Sequence, residues 1–322
     1  MRWMPVWIVA LWLALTPASG AQTETRVYSV FAAPGDWFTH SGANYAFFPF
    51  FHQWNWYYGH VQRDGVVGIR TDYPRSGNGS VYFYTPTALA KSDIEFRFLD
   101  GQSYWGRLRD LEWLAYDWYR DSRSTVGGYI HLPLRIYVAN LDRQGRLRDL
   151  GYLIYERSMN GFGEAVPTDT WVTEEVAASN RRFWQNPINR GNFFDAQPLS
   201  VWQSDAGYQP REGNRVGVRY NGDSVVCGVS VGAGTGWNGA FIGAVDNIVL
   251  RFRNGTQLHF NFEVRPEGDV NGDGVVDDAD LLQILMAFGA TCSGYCPYDL
   301  TRDGVVDDAE LLLVLMNFGA GG

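Results

Sequence analysis

Apolar and polar residues alternate with a period of two through most of the chain. In Ile94-Glu95-Phe96-Arg97-Phe98 the apolar side chains share one face and the charged ones the other, the signature of a strand with one buried side. Comparable runs occur at 80–84, 111–118, 134–138, 152–155, 216–220, 225–231, 247–252 and 256–262. Turn residues separate them, as in Ser76-Gly77-Asn78-Gly79, Asn221-Gly222-Asp223 and Asn254-Gly255. No helical period of any length interrupts them, and Asn140-Leu141-Asp142-Arg143-Gln144-Gly145 reads as a hairpin turn. About ten antiparallel strands over 25–265 predict a mainly β fold, a two-sheet β-sandwich of the jelly-roll type. The pattern then changes. Residues 281–286 and 311–316 are short apolar runs, each closed by Phe-Gly-Ala with Gly289 or Gly319 placed to cap a helix.

Each of these runs follows the same loop. Asp269, Asn271, Asp273, Val275, Asp277 and Asp280 occupy loop positions 1, 3, 5, 7, 9 and 12. Thirty residues later the same positions hold Asp299, Thr301, Asp303, Val305, Asp307 and Glu310. Gly274 and Gly304 stand at position 6. A hard cation takes six to eight oxygens, position 7 supplies only its carbonyl, and the sharp turn at position 6 favours a residue without a Cβ. Two Ca²⁺ ions are therefore expected. Thr301 contributes a neutral hydroxyl where the first loop has Asn271, so the second site is expected to be the weaker. Residues 267–322 carry eleven acidic side chains and one basic one, so the acidity of this chain (net charge −9) is concentrated there. Without cation the carboxylates repel one another, and folding of this segment should be coupled to Ca²⁺.

The stretches 268–282 and 298–312 resemble the type I dockerin module, over about 267–320. That resemblance implies a small α-helical, EF-hand-like module of two calcium loops and two antiparallel helices. It implies docking to a cohesin-like scaffold or cell-surface protein, and an association with secreted polysaccharide-degrading systems. It places partner recognition at Asp278, Ala279, Asp308 and Ala309, which here are not a hydroxyl pair, and in helices that carry Leu285-Met286 and Leu315-Met316 in place of a basic residue. A calcium-stapled tail that packs only on its own protein stands as the alternative. More faintly, 76–83 and 243–250 are similar to elements of secreted bacterial jelly-roll domains, carbohydrate-binding modules among them.

At the other end, Met1-Arg2, the apolar run Val6–Leu15 and the small residues 17–21 read as a secretory signal peptide over 1–21. Its apolar stretch is too short to span a bilayer, and no second span follows. The expectation is a secreted, extracellular protein. Cys292 and Cys296, between the two repeats, read as a small disulfide loop in that setting. Cys227 reads as a buried strand residue. No basic stripe suggests nucleic acid.

Between 45 and 58 lie nine aromatic residues in fourteen positions. Trp54, Trp56 and Tyr58 are candidate sugar-stacking residues, with His52, Gln53 and Asn55 as polar neighbours; the alternative is that the run fills the core. Trp184, Trp202 and Trp237 are further candidate platforms. A catalytic centre is less legible. Glu112 with Asp117, and Glu174 with Glu175, could pair for glycoside hydrolysis, but no compact carboxylate motif, metal-protease histidine spacing or nucleophile elbow is present. Carbohydrate recognition, O-glycosyl hydrolysis and a structural envelope or matrix role all stay open. The short connection 265–268 favours a tail resting against the sandwich over a roaming one.

Overall fold

The computed structural model describes residues 24–321, apart from 51, 52, 54, 162, 235 and 293–295. The expected signal peptide, and Trp54, lie outside the described residues.

Two large sheets form the body. In the first, the strands Glu24–Tyr28, Gln257–Glu263, Phe241–Phe252, Ser80–Thr85, Gly65–Arg70 and Phe38–His40 follow one another, and Leu111–Arg120, bordered by Trp171–Glu175, also pairs with Phe241–Phe252. In the second, the order is Phe193–Pro198, Arg182–Pro187, Leu147–Tyr155, Leu134–Leu141, Val225–Ala233, Lys91–Arg97, Trp56–Gln62 and Ala46–Pro49, with Gly106–Arg107 added beside Val225–Ala233. Pairing is antiparallel except between Glu24–Tyr28 and Gln257–Glu263, which run parallel. The alternation in the sequence is what packs them. Ile94, Phe96, Val229, Val231, Ile136 and Leu153 on one sheet face Val81, Phe83, Trp118, Val245, Ile248 and Phe262 on the other, all buried in one core. Burying a side chain of this size contributes about 1.5–3 kcal/mol.

Most expected strands form, several longer than their apolar runs. The exception is 216–220. Arg215–Val216 pairs with Arg211–Glu212 and Tyr220 forms a single bridge with Tyr208, while Val218 is buried between them without a strand partner. The Gln185 side chain explains the difference. Its amide donates to the Val218 carbonyl at 2.8 Å and accepts the Val218 N–H at 2.9 Å, standing in for a strand partner.

At the C-terminus the helices Asp278–Ala287 and Asp308–Met316 each start at an acidic capping box, Asp277 with Asp280 and Asp307 with Glu310. Val270, Val276, Ile284, Val306 and Val314 make a small core between them. The repeats interlock: Val275 bridges to Gly321 and Thr291 to Val305, so each loop pairs with the tail of the other repeat's helix. Cys292 and Cys296 are disulfide-bonded in the connection. The module sits on the sandwich. Gly274 abuts the Tyr28 ring, and the Arg302 guanidinium lies 4.1 Å from the Phe31 ring centroid. Among the described residues no helix is long and apolar enough to cross a membrane.

Candidate functional site

Two places in the molecule gather functional side chains. The first is the pair of C-terminal loops. Asp269 is fully buried and accepts the N–H groups of Gly272 and Gly274 at 2.7 and 2.9 Å. Asn271 accepts from Asp273, and Asp273 from Val275. Asp280 reaches back to Val270 and Asn271, closing the loop. In the second loop Asp299 accepts from Asp303 and Gly304, and Glu310 receives both the N–H and the hydroxyl of Thr301. Burial pushes the Asp269 carboxyl up to about 6, partly offset by Arg265. A buried carboxylate in a ring of oxygen donors, with each N–H using only part of an acceptor's capacity, fits a hard divalent cation. The residues that would hold Ca²⁺ are the twelve that the loop spacing names. Asp278, Ala279, Asp308 and Ala309 are exposed at the helix starts. Beyond them Leu285, Met286, Leu315 and Met316 expose between 52% and 80% of their surface.

The second place is the outer face of the nine-stranded sheet. Strand alternation sends the polar side chains of Lys91–Arg97 there, and the register sets Glu95 between Tyr57 and Ser230, and Asp93 between Gly59 and Gly232. Arg135 stands beside Ser230, and Tyr137 pairs with Tyr152. Gly232 is required here, since a Cβ would lie 1.8 Å from Asp93 Oδ1. Side chains on an outer face are usually solvated, yet Asp93 and Glu95 are fully buried and Arg135 nearly so. Tyr45 and Phe47, at the start of the neighbouring strand, rise as half-exposed walls, and Phe194 walls the space that adjoins them. The result is a cleft of about 400 Å³, and an adjacent cavity of about 340 Å³ shares Tyr45, Lys91, Arg135, Ile154 and Asn186 with it.

Its floor is an ion network. His60, a bulge residue at φ +51°, places Nδ1 2.8 Å from Glu95 and 3.0 Å from Asp93. Lys91 and Arg135 lie 3.1 and 3.0 Å from Asp93. Tyr57 and Tyr152 donate to Glu95, Tyr137 donates to Tyr152, and Arg97 donates to Tyr137 at 3.2 Å. Burial would raise both carboxyls, but Arg135, Lys91 and His60 at Asp93, and His60 and Tyr57 at Glu95, hold each below its ordinary value. Burial would lower His60, but Asp93 and Glu95 raise it. Donor atoms of His60, Asp93 and Glu95 lie within 4.8 Å of one another, the one such cluster among the described residues. A metal there would face Lys91 and Arg135, so the trio is an ion-pair network.

Several sequence candidates fall elsewhere. Trp56 and Tyr58 point into the core, 4% and 0% exposed, and cannot stack on a ligand. The residue between them, Tyr57, faces the cleft, because neighbours on a strand point to opposite sides. Trp202 is also core, whereas Trp184 and Trp237 line the adjacent cavity. Glu174 is buried against Tyr155 and Arg157 while Glu175 is exposed on the other face. Asp117 is tied to Arg75 and Thr173, and Glu112 is exposed beside Arg253. Neither pair forms a catalytic cleft. The residues that do converge were missed, although Glu95 and Arg97 already shared the polar face of a predicted strand that Asp93 immediately precedes.

No family model and no curated protein matches the chain. Among solved structures, a carbohydrate-binding module of the β-sandwich superfamily, described as promiscuous in specificity, is 12% identical over 58% of this chain and 53% of its own, with a TM-score of 0.25. This chain thus spans about half the length of that structure. A CBM28 module described as specific for non-crystalline cellulose gives 15% identity over 60% of this chain and 80% of its own (TM-score 0.26). A family 11 carbohydrate-binding module from Clostridium thermocellum, in complex with a β-1,3-1,4-mixed-linked tetrasaccharide, gives 13% over 63% and 94% (TM-score 0.30).

Proposed function

We propose that this is a secreted polysaccharide-binding protein that holds a glycan in the cleft of its nine-stranded sheet and is displayed through a calcium-loaded C-terminal module. The observation that carries the reading is the cleft itself, where aromatic walls stand over a floor of fixed polar groups. Sugar rings present apolar C–H faces and a rim of hydroxyls. Tyr45, Phe47 and Phe194 offer the first a surface, and Asn186, Asn189 and Arg135 offer the second hydrogen bonds.

Binding is favoured over hydrolysis by the state of the two carboxyls. A glycosidase needs one of its pair kept protonated. Here both are held ionised by the cations around them. The exposed leucines and methionines of the two helices, repeated at equivalent positions, support the display role: a partner of apolar character would cover them.

The test is incubation of the chain, with Ca²⁺, against a panel of polysaccharides, following both retention and release of reducing ends. Retention without release is expected. Release that is abolished by Asp93→Asn or Glu95→Gln, in proteins that remain folded, would replace this reading with a hydrolase.

A further inference from the structure

The charges of the cleft narrow what it takes. Lys91, Arg97, Arg135 and His60 line it, and Asp93 is the single carboxylate among its lining residues. Glu95 lies beneath, its oxygens engaged by Tyr57, Tyr152 and His60. Three permanent cations against these two carboxylates leave one positive charge before His60 is counted. In the adjacent cavity the one acidic lining residue is the half-buried Glu156, whose desolvation raises its pKa and so disfavours its charge.

Arg97 is the residue that stands out. Among the described residues it forms no ion pair. Its guanidinium lies over the rings of Tyr57 and Tyr137, 5.5 and 5.3 Å from their centroids, and one N–H reaches the Tyr137 hydroxyl. A guanidinium held between rings keeps its charge, loses little freedom on binding, and has most of its five donors left to use. A half-buried cation at the edge of this network, which feels Glu95 but has no carboxylate in direct contact, is a receptor for one brought by a ligand.

We infer that the cleft selects an anionic saccharide, with Arg97 receiving the carboxylate of a uronic acid residue or the sulfate of an esterified sugar. This rests on the reading of the cleft as a glycan site and adds the class of sugar. Lys91 and Arg135 flank the same space and extend the positive field along it.

The experiment is calorimetric titration of the full chain in Ca²⁺ with short oligosaccharides of three kinds: uronate, sulfated and neutral. One of the anionic kinds should bind about tenfold tighter than the neutral ones, and which one does identifies the group. Raising NaCl from about 0.05 to 0.5 M should weaken that binding severalfold, because screening shortens the reach of the cleft's charge. Arg97→Gln should cost about tenfold toward the anionic ligand, with Arg97→Lys retaining part of the affinity. Melting curves of both variants show whether any loss is a folding defect. Equal or tighter binding of neutral sugars would overturn the inference while leaving the glycan site standing. Binding of none of the three would overturn both.

Discussion

Tyr58→Phe separates the core from the cleft. The ring packs against Phe50 and Phe38, with centroids 4.6 and 5.1 Å away, and phenylalanine keeps both contacts. Only the hydroxyl is lost. In the fold it donates to the fully buried Asp36 and accepts the Ile69 N–H at 2.9 Å. Leaving the Ile69 N–H buried without a partner costs about 1–3 kcal/mol, and the lost bond to Asp36 about 0.5–1.5 kcal/mol more. Asp36 retains the N–H groups of Val30 and Phe31 at 2.9 and 2.8 Å, so its own network survives. The sum, about 2–4 kcal/mol, should lower the melting temperature by roughly 5–15 °C for a domain of this size. The assay pairs thermal unfolding by circular dichroism with titration of the glycan. Tyr58→Phe should melt early and bind normally where folded. Tyr57→Phe, which takes one donor from Glu95 at the floor of the cleft while Tyr152 and His60 remain, should cost only about 0.5–1.5 kcal/mol of stability and weaken binding. A Tyr58→Phe protein with unchanged melting and weakened binding would place the residue in the site and refute the assignment of faces.

Four further outcomes follow from the same geometry. Chelating Ca²⁺ should expose the 265–268 junction to protease and destabilise the tail, each site contributing about 2.7 kcal/mol at a hundredfold excess over its dissociation constant. Titration should show two steps, the Thr301 loop filling last; one step at equal affinity would contradict the ranking. Gly274→Ala should disturb calcium binding and stability more than Gly304→Ala. Both have φ near +90°, but a Cβ at 274 would lie 2.1 Å from the Tyr28 ring and one at 304 meets nothing nearer than 3.6 Å; equal effects would mean that the tail does not rest on the sandwich. Stability should fall as pH rises from 5.5 to 8.5 at saturating Ca²⁺, with His131, pushed down to about 4 by burial, offsetting part of the loss below about 6.5. Burial holds Asp36 up at about 6 and Asp246 at about 7, so the stability that their bound protons confer is lost as pH passes those values. His60, held above 6.5 by its carboxylates in spite of burial, adds a loss of the same sign at higher pH. Asp93 and Glu95, held low, titrate below this range and contribute no slope within it. A melting temperature that is flat or rises with pH would refute this.

The sequence by itself determined the β character of the body, the positions of most strands and the two loop-helix repeats, because each depends on spacing along one segment. A period of two defines a strand with two faces, and six positions in a twelve-residue loop define a ring of oxygens. Even the face shared by Glu95 and Arg97 was contained in that period. What the period cannot say is which face meets the other sheet and which meets solvent, so Trp56 and Tyr58 were candidates for the ligand when Tyr57 was the residue outside. Nor can it join strands. Arg135 comes to Asp93 across Val225–Ala233, His60 enters through a bulge, and Phe194 walls the adjoining cavity, which shares Tyr45 with the cleft. These residues are far apart in the chain and carry no local signature. Sheet order and register bring them together, and only in that register do buried charges find the partners that make their burial tolerable.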